Sequence, residues 1–141
     1  MLKKIDHIGL IVRDADETAR LFCELFGFAV VDRPPYEDPQ AGFKSLFLTL
    51  GEIKIELINP TSADSALAKF LDKRGEGIHH VSLEVEDIER ELDSLKARKV
   101  RLINEKADIV EKDKVAFIHP SAVKGVLVEL LEKSKAAKNG G

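Results

Sequence analysis

Two histidines and two glutamates share one spacing: His7 and His80 stand 73 residues apart, and so do Glu56 and Glu129. Imidazole nitrogens and carboxylate oxygens are borderline-to-hard ligands, suited to Zn, Ni, Co, Mn or Fe(II) and not to a thiolate-selective site. Four such ligands in an octahedral shell leave two positions for water or substrate, where the ion acts as a Lewis acid on a carbonyl and stabilises an enolate. A glutamate in the middle of an apolar strand costs on the order of several kcal/mol if buried unpaired, and a divalent cation supplies the missing partner. Cysteine offers no alternative. Cys23 is the only one in 141 residues, which excludes an intramolecular disulfide and any cysteine-only zinc cluster and fits a reducing compartment.

The elements that must position these residues follow from the same offset. Ile5-Asp6-His7-Ile8-Gly9-Leu10-Ile11-Val12-Arg13-Asp14 lies over Ile78-His79-His80-Val81-Ser82-Leu83-Glu84-Val85-Glu86-Asp87, and Ile53-Lys54-Ile55-Glu56-Leu57 lies over Val126-Leu127-Val128-Glu129-Leu130. A repeat of this kind decides the fold before any single element does. In each copy apolar residues alternate along a strand, so Ile8, Leu10 and Val12 face a helix while His7 faces the other side of the sheet; His80, Glu56 and Glu129 obey the same parity. Asp14 followed by Glu17 opens a helix on a capping-box pattern. Ala19, Phe22, Cys23 and Phe26 form its apolar face up to Gly27. Asp87 opens the second helix, with Ile88, Leu92 and Leu95 on one face.

Ala29–Asp32, Lys44–Leu48 and Ile53–Ile58 read as strands, with Gly51-Glu52 as a hairpin turn; their counterparts are Val100–Ile103, Val115–Ile118 and Val126–Leu131. Each copy is therefore βαβββ, and the fold class is α+β: two tandem modules and a mixed sheet. The chain reads as one domain over residues 1–141, with module one at about 4–60, a connecting helix at 61–75, module two at about 77–132 and a polar tail at 134–141 that is expected to fray. Thr61–Arg74 carries Leu67, Phe70 and Leu71 on the connecting helix's apolar face. The proline-rich segment Pro34–Pro39 reads as a loop long enough to border a site.

Other chemically capable residues have plainer readings. His79 falls on the helix-packing face as a core or edge residue, and His119 before Pro120 is a turn residue. Cys23 is a small core hydrophobe. Lys112, Lys114 and Lys124 belong to solvated loops. The charge balance of 22 basic against 25 acidic residues gives no basic field and speaks against nucleic acid. No apolar run approaches a membrane span, and the start of the chain does not read as a signal peptide, so a cytoplasmic location is expected.

With these residues in view, the sequence resembles the vicinal oxygen chelate (glyoxalase-like) superfamily and, more narrowly, the methylmalonyl-CoA epimerase family. The closer likeness is carried by Ile5–Gly9, Ile55-Glu56-Leu57-Ile58-Asn59-Pro60, Ala68–His80, Val115-Ala116-Phe117-Ile118-His119-Pro120 and Gly125–Leu130, and it covers essentially residues 4–132. The resemblance implies a cupped, barrel-like sheet with helices outside, around one divalent ion (Co, Ni, Zn or Mn) on His7, Glu56, His80 and Glu129. It also implies an acyl-CoA substrate, Glu129 serving as a catalytic base through an enolate, and a homodimer. Two departures stand out. Ser45 occupies the place where some epimerases carry a second catalytic glutamate, leaving Glu37 or a metal-bound water as stand-ins, since serine is a poor base without a partner. Ile109-Val110-Glu111-Lys112-Asp113 replaces a glycine-rich loop. The same ligand types also fit a glyoxalase I-type lyase, and the same fold without metal fits a small-molecule binding module. An extradiol oxygenase uses a three-ligand triad, which Glu56 exceeds.

Overall fold

Strand alternation and capped helices recur in the same order in two compact units, His7–His79 and Met1–Asp6 with the chain from His80 onward. The computed structural model describes residues 1–135; residues 136–141, most of the tail expected to fray, lie outside the described residues. No helix among the described residues is long and apolar enough to cross a membrane.

The unit His7–His79 holds the second half of β1 (Leu2–Ile11), then α1 (Ala15–Phe26), β2 (Ala29–Val30), β3 (Tyr36–Asp38), β4 (Phe43–Leu50), β5 (Ile53–Pro60) and α2 (Ala66–Arg74). Its strands run in the order β2-β4-β5-β1, with β3 also on β4. β1 lies parallel to β5, and β4 antiparallel to it. Register follows the hydrophobic alternation: Val12, Ala15, Ala19, Leu46, Leu48 and Leu57 form the core, with Leu10, Phe22, Phe28 and Ile55 packed against it.

The other unit repeats the plan with β6 (Gly77–Val85), α3 (Ile88–Ala97), β7 (Asp108–Val110), β8 (Asp113–Ile118) and β9 (Val128–Glu132). β6 runs parallel to β9, β8 is antiparallel to β9, and β7 is antiparallel to β8. Val85, Ile88, Leu92, Ala116, Ile118 and Leu130 form its core. The α+β class and mixed sheet expected from the repeat are present.

The helix starts are near copies. Asp14 caps α1 by accepting from the Glu17 N–H at 3.0 Å, and Asp87 caps α3 by accepting from the Arg90 N–H at 3.1 Å. In each case the next residue's N–H, another of the orphan donors of a helix start, is taken by a side chain at the end of the module's last strand. Asn59 Oδ1 accepts from Ala15 and Glu132 Oε1 from Ile88, both at 2.9 Å. Gly27 ends α1 in the left-handed region (φ 77), which only glycine adopts without strain.

Several boundaries differ from expectation. The connecting helix begins only at Ala66, because Ser65 caps it through the Ala68 N–H. Within the proline-rich segment Tyr36–Asp38 pairs with β4 as a short strand, which proline permits where the ladder needs no N–H from it. Val100–Ile103 is not a strand: Leu102 makes a single bridge to Ile118. The module's own short strand is β7, within the segment that replaces the glycine-rich loop, and β9 starts at Val128 rather than Val126. Phe26, placed on the apolar face of α1, is 58% exposed.

Candidate active site

On the face of its sheet away from α1, the unit His7–His79 presents His7 from β1 and Glu56 from β5. Their strands are hydrogen-bonded neighbours, with Gly9 directly opposite Glu56, so residues of the same parity meet. His7 is buried, and its Nε2 lies 3.3 Å from Glu56 Oε1. That separation matches two adjacent ligand atoms on one ion: bond lengths of about 2.0–2.2 Å place such atoms roughly 3 Å apart. Phe47, directly opposite Glu56 on β4, packs edge-on against the His7 ring with centroids 5.3 Å apart. The Arg33 guanidinium lies 4.7 Å from the Phe47 ring centroid, a cation–π contact at the edge of this face.

Ser45 shares this face, is 1% exposed, and its Oγ has no hydrogen-bond partner among the described residues. Glu37, the stand-in base considered above, is exposed on β3. It pairs with Lys44, one residue out of phase with the Tyr36–Ser45 pair, and therefore projects from the opposite side. His79 is half-buried with its ring 4.8 Å from that of Phe70. Desolvation lowers its pKa, opposed by the Glu56 charge and reinforced by Arg74. It is an edge histidine beside the aromatic face of α2.

The other unit repeats the theme with a changed detail. His80 is buried, and its ring stands edge-on to Phe117 at 6.0 Å. Phe117 lies directly opposite Glu129, as Phe47 does opposite Glu56. Ser82 lies directly opposite Glu129, at the position that Gly9 occupies opposite Glu56. Its hydroxyl is fully buried and donates to Glu129 Oε1 at 2.7 Å.

The sequence reading missed Phe47, Phe117 and Ser82, although strand parity places all three on the histidine faces. It also missed a buried charge group. Lys133 Nζ lies 3.0 Å from Asp6 and 3.7 Å from Glu84, and Lys3 reaches Glu84 at 3.4 Å. Two buried carboxylates are thereby neutralised, and one of them, Asp6, is next to His7 in the sequence.

Lys114, assigned to a loop, sits in β8 and donates to Glu89 at 2.8 Å. That bond lowers the Glu89 pKa and raises that of Lys114. His119 caps a short 3₁₀ turn at Pro120–Val123, its Nδ1 accepting from the Ser121 N–H, as a turn residue should. Cys23 is half-buried.

Residues 6–117 match the model of the Glyoxalase/Bleomycin resistance protein/Dioxygenase superfamily. The mitochondrial methylmalonyl-CoA epimerase of Bos taurus is 37% identical over 131 residues, covering 92% of this chain and 74% of the relative. The ethylmalonyl-CoA/methylmalonyl-CoA epimerase of Cereibacter sphaeroides is 34% identical over 133 residues, covering 92% and 98%. Among solved structures, a variant of Streptomyces coelicolor methylmalonyl-CoA epimerase in complex with 2-nitronate-propionyl-CoA superposes with a TM-score of 0.87 at 28% identity, over 96% of this chain and 97% of that one.

Proposed function

The chain belongs to the methylmalonyl-CoA epimerase family of the glyoxalase superfamily and is an epimerase; from that premise we propose that it interconverts (R)- and (S)-methylmalonyl-CoA with one divalent metal ion. The ligands we assign are His7, Glu56, His80 and Glu129. The observation that carries this assignment is the doubled arrangement: in each unit a buried histidine packs edge-on against a phenylalanine that lies directly across from a glutamate. In one of them nitrogen and carboxylate oxygen are at ligand-to-ligand distance. Two imidazoles and two carboxylates suit Co, Ni, Zn or Mn.

When bound, the ion supplies Lewis acidity toward the thioester and carboxylate oxygens of the substrate. The chain's own groups do the rest. Glu129 takes the proton from C2, within reach of ordinary carboxylate general-base catalysis. Phe47 and Phe117 line the two histidines with hydrocarbon and limit water at the reacting carbon. Ser45 offers a hydroxyl but no base, and Glu37 projects from the wrong face. Neither is therefore assigned the proton that returns to the opposite side of C2. We place the enzyme in the cytoplasm as a homodimer, the single cysteine being consistent with a reducing compartment.

The test is exchange into D₂O with metal quantified in the same sample. Deuterium is expected at C2 of methylmalonyl-CoA, lost on chelation and in His80→Ala. Metal-loaded protein that neither exchanges C2 nor interconverts the epimers would overturn the proposal. Turnover of methylglyoxal with glutathione in its place would assign the glyoxalase I-type reaction.

A further inference from the structure

We propose that Ser82 is a positioning residue for Glu129, holding one carboxylate oxygen so that the other is presented to the metal and to the substrate proton. The inference rests on the reading of Glu129 as ligand and base, and it adds a residue to that site. Three observations carry it. Ser82 is fully buried and lies directly opposite Glu129 in the parallel β6–β9 ladder. Its Oγ donates to Oε1 at 2.7 Å, a well-formed O–H···O hydrogen bond. The repeat-equivalent position across from Glu56 is Gly9, which has no side chain, and Glu56 is instead approached by His7 at 3.3 Å.

The consequence is geometric. A glutamate has three side-chain torsions, and a ligand that must also move a proton performs poorly if its carboxylate samples several rotamers. Outer-shell hydrogen bonds fix such ligands, and their loss costs about 10–100-fold in metal affinity or activity. A serine hydroxyl facing a strand neighbour has little freedom of its own, so it pins Oε1 at low entropic cost. Glu56 needs no such device if it serves as a ligand alone.

The experiment compares Ser82→Ala, Ser82→Cys and Ser82→Thr in the full chain, with folding verified by thermal melts. Co²⁺ is the probe, its affinity read by competition against a chelator and its coordination by the visible d–d spectrum, alongside kcat and KM for C2 exchange. Ala and Cys are expected to weaken Co²⁺ binding about 10–100-fold, alter the spectrum and lower kcat more than they raise KM. Thr, which keeps the hydroxyl, restores these values. A purely structural serine would move the melt and leave the spectrum alone. Wild-type Co²⁺ affinity and kcat in a folded Ser82→Cys variant would overturn the inference while leaving the metal reading intact. A wild-type protein that binds no Co²⁺ would overturn both.

Discussion

The two units present a histidine and a glutamate from equivalent strands, yet they hold the glutamate by different means. In His7–His79 the cross-strand neighbour of Glu56 is Gly9, and the carboxylate turns to the His7 imidazole. In the other unit the neighbour of Glu129 is Ser82, whose hydroxyl engages the carboxylate from inside the ladder. A hydrogen bond to a charged group is worth about 1.5–3 kcal/mol, enough to select one rotamer over its competitors. A tandem repeat thus copies backbone and register, while the side chain opposite the glutamate differs; under the proposal above, that difference is what fits Glu129 for a second task. Pseudo-symmetry in the sheet does not require symmetric chemistry, which suits a reaction that takes a proton from one face of a carbon and returns it to the other.

The largest effect that would sharpen this contrast lies in the two glutamates themselves. Glu129→Gln removes both the proposed charged ligand and the proposed base, and is expected to lower kcat for C2 exchange by about 10³-fold, within the range for loss of a positioned general base. Glu56→Gln keeps a neutral oxygen ligand and should cost only about tenfold, near 1.4 kcal/mol of activation free energy. Parallel measurement of kcat and bound metal separates the two. Equal losses in both variants would break the asymmetry and return the glutamates to equivalent roles.

A second contrast concerns stability. The repeat counterparts of Glu84 and Lys133 are Ile11 and Pro60, so the charge group of Asp6, Glu84, Lys133 and Lys3 has no equivalent in the other unit. Removing one partner of a buried ion pair costs about 3–5 kcal/mol because the remaining charge stays desolvated. Lys133 is 23% exposed, and solvent relieves part of that, so Lys133→Met is expected to destabilise by about 2–3 kcal/mol. Adding Asp6→Asn and Glu84→Gln in the same chain should recover part of the loss. Urea titrations check both statements, and a Lys133→Met variant as stable as the wild type would show that the group is solvated rather than buried.

What could be read from the sequence, and what could not, follows the range of the interactions involved. The histidine and glutamate faces follow from period-2 alternation, and the register of β1 with β5 and of β6 with β9 keeps them together. Asp14 and Asp87 announce the helix starts, since a cap acts over three residues. The Ser82–Glu129 bond and the Lys133 group depend on which residues the fold brings together across 47 residues or more, and no local pattern encodes that. β7 was hidden for a different reason. Its turn to β8 runs through Glu111 (φ 50) and Lys112 (φ 87), both left-handed without glycine, so the Asn-Gly or Asp-Gly signature of such hairpins is absent. Phe26 was misplaced because helical spacing identifies an apolar stripe without saying how wide the covered part of it is.

The smallest expected effects test whether the repeat is faithful where no ligand is involved. Asp14 and Asp87 have nearly the same backbone angles, φ −140 with ψ 100 and φ −143 with ψ 98, and each accepts from the N–H three residues on. Each is also flanked by a helical N–H satisfied from the last strand, by Asn59 in one unit and Glu132 in the other. Asp14→Ala and Asp87→Ala are therefore each expected to cost about 1 kcal/mol. Their effects should add in the double variant, because the caps share no partner. If Asp87→Ala proves the milder, Glu132 is the cause: its carboxylate already places a negative charge at the start of α3, where the helix dipole favours one, whereas Asn59 brings none to α1. Glu132→Gln, combined with Asp87→Ala, would then restore the full cost and return the two helix starts to parity.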